Sequence, residues 1–281
     1  MNGLSLPPLN ISGLLRRYNL RPSKGLGQNF LEDNQALQKI MSAANLEPED
    51  EVLEIGPGLG SLTRYLALSA RFVTAVELDR KLFPVLESVL APYKNIRLVQ
   101  GDILKINPAE LIEKTGYVVV ANIPYYITSV VIRHLLETDQ RPSRMVLTVQ
   151  KEVAERICAD PGKMNLLALS VQVYGKPAIG EVISAGAFYP QPKVDSAVLC
   201  IELYPQPTIP TDKLDIFFTI IKAGFSQKRK TLRNALSGGL RITPGESEDM
   251  LKAGSIDPQR RAETLSLEEW GRLVSVYPVP T

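Results

Sequence analysis

The chain has 281 residues, 44% of them hydrophobic and 22% charged, and its 32 Lys and Arg against 30 Asp and Glu leave a net charge of +2. So even a balance excludes a global field strong enough to gather polyanions, and any affinity for nucleic acid must come from local clusters. Cys158, Cys200 and His134 are the only residues of their kinds, too few for a disulfide framework and without metal-ligand spacing.

From Val52 to about Tyr204, short β-branched runs alternate with segments of helical period. Strands are expected at Glu51–Ile55, Phe72–Val76, Ile96–Gln100, Tyr117–Ala121, Met145–Gln150, Ala178–Ser184 and Asp195–Tyr204. Helices are expected between them at Ser61–Ala70, Arg80–Pro92, Ile127–Thr138 and Met164–Tyr174. The runs RFVTAV and YVVVA are apolar almost throughout, which suits strands covered on both faces. The pattern predicts an α/β, Rossmann-like sheet of seven strands, mostly parallel. Its last two strands follow each other without a helix, as an antiparallel hairpin at the sheet edge would. The stretch YPQPTIPTD then reads as a linker, and everything after it is helical in period: Lys213–Phe225, Lys228–Ser237, Ser247–Ala253 and Ser266–Val276. The expected domains are therefore residues 1–205 and a small all-helical domain, residues 206–281.

No run approaches the roughly eighteen apolar residues of a membrane span, and MNGLSLPPLN offers no charged stretch ahead of an apolar one. The expectation is a reduced, soluble, cytoplasmic protein with no membrane partner.

The first expected strand runs into Gly56-Pro57-Gly58-Leu59-Gly60. Glycines there let the backbone approach a ligand and present amides at a helix N-terminus, although an ordinary tight turn uses the same residues. Glu77, about twenty residues on, ends the second strand, where a carboxylate can accept both hydrogens of a ribose diol or simply be solvated. Asp102 follows the third strand and can accept a bond from an adenine amino group. Taken together, and without a phosphate-binding lysine, these features suit an adenosyl cofactor better than ATP.

The fourth strand ends in Asn122-Ile123-Pro124-Tyr125. Adenine N6 is a poor nucleophile because its lone pair is delocalised into the ring. An enzyme acting on it must accept its hydrogens as the nitrogen turns pyramidal. The Asn122 side-chain oxygen and the Ile123 carbonyl supply two such acceptors, Pro124 fixes the turn, and the Tyr125 ring can stack on the base. An Asx-Pro turn is the ordinary alternative; the place after the fourth strand favours chemistry.

With these motifs in view, the chain resembles the ribosomal RNA adenine dimethyltransferase family, which has a class I methyltransferase fold. Lys24–Leu31 matches the family's N-terminal cofactor segment, Glu54–Gly60 its glycine motif, and Asn122–Tyr125 its methyl-acceptor motif. Ala187–Ser196 matches the loop that supplies a second stacking aromatic, here Phe188. The resemblance covers about Tyr18 to Leu273. It implies S-adenosyl-L-methionine as cofactor, with no metal, held by Gln28, Asn29, Leu31, Gly56, Gly58, Glu77, Asp102 and Asn122. It implies catalytic contacts from Asn122 and Ile123, with Tyr125 and Phe188 flanking the adenine. It also implies dimethylation of two adjacent adenosines near the 3′ end of 16S rRNA in the small ribosomal subunit, by a monomer with a part in subunit biogenesis.

The segment Phe225–Asn234 resembles the small-subunit branch rather than the resistance methyltransferases of large-subunit rRNA. Lys222, Lys228, Arg229, Lys230 and Arg233 are its candidate RNA contacts. On a helix, Arg229 and Arg233 would share a face, as would Lys230 and Arg233. The alternatives are a large-subunit enzyme of the resistance type, a DNA adenine methyltransferase, and a non-catalytic ribosome-assembly factor on the same fold.

Overall fold

A computed structural model describes residues 6–112 and 114–277. The chain opens with helix α1 (Ile11–Arg17), the two-residue strand β1 (Phe30–Leu31) and helix α2 (Asn34–Ala44). There follow β2 (Glu51–Ile55), α3 (Ser61–Ser69), β3 (Phe72–Glu77), α4 (Phe83–Leu90), β4 (Ile96–Gln100), β5 (Val118–Asn122), α5 (Thr128–Leu136) and β6 (Arg144–Gln150). Next come α6 (Lys151–Ile157), α7 (Leu166–Gln172), β7 (Gly175–Ile183), β8 (Phe188–Tyr189) and β9 (Ser196–Leu203). Helices α8 (Leu214–Phe225), α9 (Leu232–Leu240), α10 (Pro244–Ala253) and α11 (Leu267–Val276) complete the described chain.

Seven strands form one sheet in the order β4-β3-β2-β5-β6-β9-β7. Strands β2 to β6 pair in parallel, with Ile55 opposite both Val76 and Ala121, and β9 runs antiparallel to β6. Strand β9 thus enters between β6 and β7, and β7 becomes the edge. Chain order reverses between β2 and β5. The crevice beyond the carboxyl ends of those two strands is where open α/β sheets bind ligands. All seven strands were expected from the sequence; the small antiparallel pair of β1 with β8 was not.

Why these segments fold this way is visible in their burial. Val118–Ala121 are fully covered, as are Val73–Val76, because helices close both faces of the parallel part of the sheet. Helix α2 buries Ala36, Leu37, Ile40 and Ala44, a stripe at helical spacing, and begins where the Asp33 side chain accepts the Ala36 amide at 2.7 Å. Sequence reading passed over α2 because its ends lack glycine and proline. Its left-handed cap is Asn45.

Two compact units result: residues up to Ala154 with Pro177–Leu203, and Glu155–Lys176 with the residues from Tyr204 onward. Residues 155–176 therefore cluster with the C-terminal helices. Backbone bonds hold them there: the amides of Tyr204 and Thr208 reach the carbonyls of Tyr174 and Val173, and Gly162 and Met164 both donate to the Glu263 carbonyl. Inside this second unit the Trp270 ring is fully buried. The helix that carries it starts at a capping box, in which Ser266 Oγ accepts the Glu269 amide and Glu269 accepts the Ser266 amide. Ser266→Ala is expected to lower stability by about 1 kcal/mol. A urea midpoint that falls with an unchanged denaturant slope would register this loss. No helix among the described residues is long and apolar enough to cross a membrane.

Candidate active site

A cleft of about 1030 Å³, counting its open mouth, lies in the first unit at the reversal of strand order. Its floor is the turn after β2. Gly58 there has φ +61°, and a Cβ on it would stand 2.9 Å from the Phe30 ring, so only glycine lets the turn close under that ring. The Gly58 amide donates to Glu77 Oε2 at 3.2 Å, while Glu77 Oε1 accepts the Asp79 amide at 2.8 Å.

Glu77 is only 6% exposed. Burial pushes its pKa up to about 7, against the amide bonds from Asp79 and Gly58, which pull it down. Asp102 stands at the next strand tip, where its Oδ1 accepts the Leu104 amide at 3.1 Å. Gly101, beside it, donates its amide to the Glu77 carbonyl at 3.0 Å, so the two acidic tips are locked side by side.

On the other side of the reversal, β5 delivers Asn122. Its Nδ2 donates to the Asn29 carbonyl at 3.1 Å, and Asn29 Nδ2 in turn donates to the Gly27 carbonyl at 3.2 Å. With its amino group engaged, Asn122 has its oxygen for an incoming donor. The Ile123 side chain is buried. Tyr125 lines the cleft with its hydroxyl 2.7 Å from Ser196 Oγ, and burial raises the phenol pKa.

The structure therefore brings Gln28, Asn29, Leu31, Gly56, Gly58, Glu77, Asp102, Asn122, Ile123 and Tyr125 into one cleft. Gln28 spends both ends of its amide on the protein. Its Oε1 accepts the Ser23 amide at 2.7 Å, and its Nε2 donates to Asp79 Oδ2 at 2.9 Å. It straps the N-terminal segment to the loop beyond Glu77.

Phe188, expected to flank the target adenine with Tyr125, is 3% exposed. Strand β8 pairs with β1, Phe188 opposite Leu31, and strand alternation turns the Phe188 ring into the core while Tyr189 faces out.

Sequence reading missed Glu54. It is 1% exposed in the buried part of β2, lines the cleft, and its Oε2 has no hydrogen-bond partner among the described residues. Burial pushes its pKa up to about 8. The signal was a carboxylate inside the buried run VLEI, a position that costs free energy unless it is used.

The basic segment belongs to the second unit. Lys222 is exposed on the last turn of α8. Lys228, Arg229 and Lys230 are exposed too, but not on a helix: the Lys230 amide bonds the Gln227 carbonyl in a turn, and α9 begins only at Leu232. This corrects the expected helix Lys228–Ser237 and its shared basic faces. Three cations in a first turn would oppose the helix dipole; Thr231 holds the N-cap position without a side-chain capping bond. Arg233 is half-buried, with its Nε 3.0 Å from Glu248 Oε2.

A seven-stranded Rossmann-like sheet, with two acidic strand tips beside a glycine turn and an Asn-Ile-Pro-Tyr acceptor turn across the reversal, defines a class I methyltransferase. Residues 19–278 match the family model for ribosomal RNA adenine dimethylase. The ribosomal RNA small subunit methyltransferase A of Dehalococcoides mccartyi (strain CBDB1) is 48% identical over 265 residues, 94% of this chain and 91% of that protein. Among solved structures, the 23S rRNA methyltransferase ErmE is similar with a TM-score of 0.72 and 28% identity, over 88% of this chain and 99% of that one. A dimethyladenosine transferase from Plasmodium falciparum is similar with a TM-score of 0.75 and 25% identity, over 87% of this chain and 95% of that one. The chain belongs to the ribosomal RNA adenine dimethylase family.

Proposed function

We propose that the chain uses S-adenosyl-L-methionine to dimethylate N6 of two adjacent adenosines near the 3′ end of 16S rRNA, within the small ribosomal subunit in the cytoplasm. It is an rRNA adenine dimethyltransferase of the small-subunit type. The observation that carries the reading is the opposition, in one cleft, of Glu77 and Asp102 to Asn122.

The residues present fit the cofactor. Glu77 and Asp102 supply acceptors for a ribose diol and an adenine amino group, and the orphaned Glu54 Oε2 offers one more polar contact in the cleft. When bound, the cofactor supplies a sulfonium methyl electrophilic enough to need no covalent enzyme intermediate. The protein's part is positioning. Asn122 Oδ1 and the Ile123 carbonyl accept the two hydrogens of the amino group, which strengthens as the nitrogen pyramidalises. The Tyr125 ring, pinned through Ser196, stacks on the base. The proton leaves to solvent after transfer. Lys222 and the exposed turn Lys228–Lys230 contact RNA phosphates, while Arg233, engaged with Glu248, contributes less.

Tritium-labelled cofactor offered with under-methylated 30S subunits, 50S subunits and duplex DNA tests the substrate. Label confined to 30S is expected. Label in 50S would move the protein to the resistance type, and label in DNA would remove it from RNA chemistry.

A further inference from the structure

The methyl-acceptor turn carries two consecutive tyrosines with opposite fates. Tyr125 points into the cleft and is held by Ser196; Tyr126, next in the same short turn, is 59% exposed at the cleft's rim. An exposed ring is usually free to turn, but this one is seated. Gly27 has φ +60°, and a Cβ there would lie 3.2 Å and 3.3 Å from the Cδ1 and Cε1 atoms of Tyr126, so the ring rests on bare glycine backbone. The same turn of chain closes through the Gly27 amide on the Lys24 carbonyl at 3.1 Å; Lys24 in it and Arg21 just before it are exposed. A seated aromatic surface with cations beside it, at the mouth of a cleft, is the arrangement that holds single-stranded nucleic acid: rings stack on bases and cations track phosphates. A target base can enter the cleft only when unstacked from its neighbours, so a flanking base loses a stacking partner at that rim.

We infer that Tyr126 is a stacking platform for the nucleotide flanking the target adenosine, with Lys24 and Arg21 on the adjoining phosphates. This rests on the reading of the cleft as an RNA adenine methyltransferase site. It goes beyond that reading by naming the surface that replaces the stacking energy the substrate loses.

The test compares the full chain with Tyr126→Ala, Tyr126→Leu and Tyr126→Phe, measuring KM and kcat on under-methylated 30S subunits and cofactor affinity by calorimetry. An exposed position keeps the stability change of each variant within about 0.5 kcal/mol. KM for subunits is expected to rise about tenfold in the Ala and Leu variants, the factor that ~1.4 kcal/mol corresponds to, near the low end of base-stacking energies. Tyr126→Phe is expected to match the wild type, with cofactor affinity unchanged throughout. An unchanged KM in Tyr126→Ala, full rescue by leucine, or a matching loss of cofactor affinity would overturn the assignment while leaving the enzymatic reading intact. A wild-type chain that transfers no methyl group to subunits would overturn both.

Discussion

Asn122→Ala is expected to slow methyl transfer by about 10²- to 10³-fold, the usual cost of removing one preorganised group aimed at charge that develops in the transition state. The side chain is fixed from both ends. Its backbone is the last residue of β5, paired with Thr148 of β6, and its Nδ2 is committed to the Asn29 carbonyl. Truncation therefore deletes an acceptor whose orientation the fold has already set, rather than one that each turnover must organise. Single-turnover rates at saturating subunits and cofactor read this directly. Asn122 also lines the cofactor cleft, so affinity is expected to fall, but by far less than the rate, because Glu77 and Asp102 are untouched. Asn122→Asp keeps an acceptor but sets a carboxylate against the Asn29 carbonyl, so an intermediate rate is expected. If the alanine variant lost affinity for the cofactor instead of rate, Asn122 would be a binding residue and not a catalytic one.

Glu77→Gln is expected to weaken cofactor binding by about 10- to 100-fold, since hydrogen bonds to a charged group are worth roughly 1.5–3 kcal/mol. It should also flatten the pH profile. With its pKa near 7, Glu77 takes up a proton as the pH falls below neutrality and loses acceptor capacity. Cofactor affinity of the wild type should therefore fall by up to about tenfold per pH unit below 7 and level off above it. Stability of the free protein runs the other way. A carboxylate raised from 4.5 to about 7 holds its proton in the folded state when the unfolded chain has released it. The folded state is thus favoured most below pH 4.5 and loses that advantage as the pH rises through 7. Glu54, raised to about 8, extends the same decline upward. Calorimetric titrations from pH 5.5 to 8.5, with thermal melts alongside, separate the two trends. A wild-type affinity flat across that range would show that Glu77 is ionised throughout and that burial is not what governs it.

Much of this was legible in the chain. The parallel strands could be read because burial on both faces forces continuous apolar runs such as YVVVA, and the strand tips could be read because glycine, Glu77, Asp102 and Asn122 break those runs abruptly. What escaped depends on partners distant in sequence. Nothing local in Phe188-Tyr189 says which ring turns inward; the pairing with Phe30-Leu31 decides it. Nothing in Lys228–Arg233 sets the helix start by period alone; three cations in a first turn would oppose the dipole, and the helix begins at Leu232. Tyr126 is set apart from Tyr125 by its close approach to Gly27, a partner about a hundred residues away in sequence. Glu54 was hidden inside a motif read for its glycines.

The central claim is that the cleft puts two methyl groups on one adenine nitrogen, and nucleoside analysis tests it most directly. Under-methylated 30S subunits would be incubated with the protein and cofactor, and their 16S rRNA digested to nucleosides and resolved by mass spectrometry. The account predicts N6,N6-dimethyladenosine from the wild type, at two residues per subunit, and almost none from Asn122→Ala in the same time. Methyl groups on any other base or atom, or dimethyladenosine formed equally well by Asn122→Ala, would contradict it.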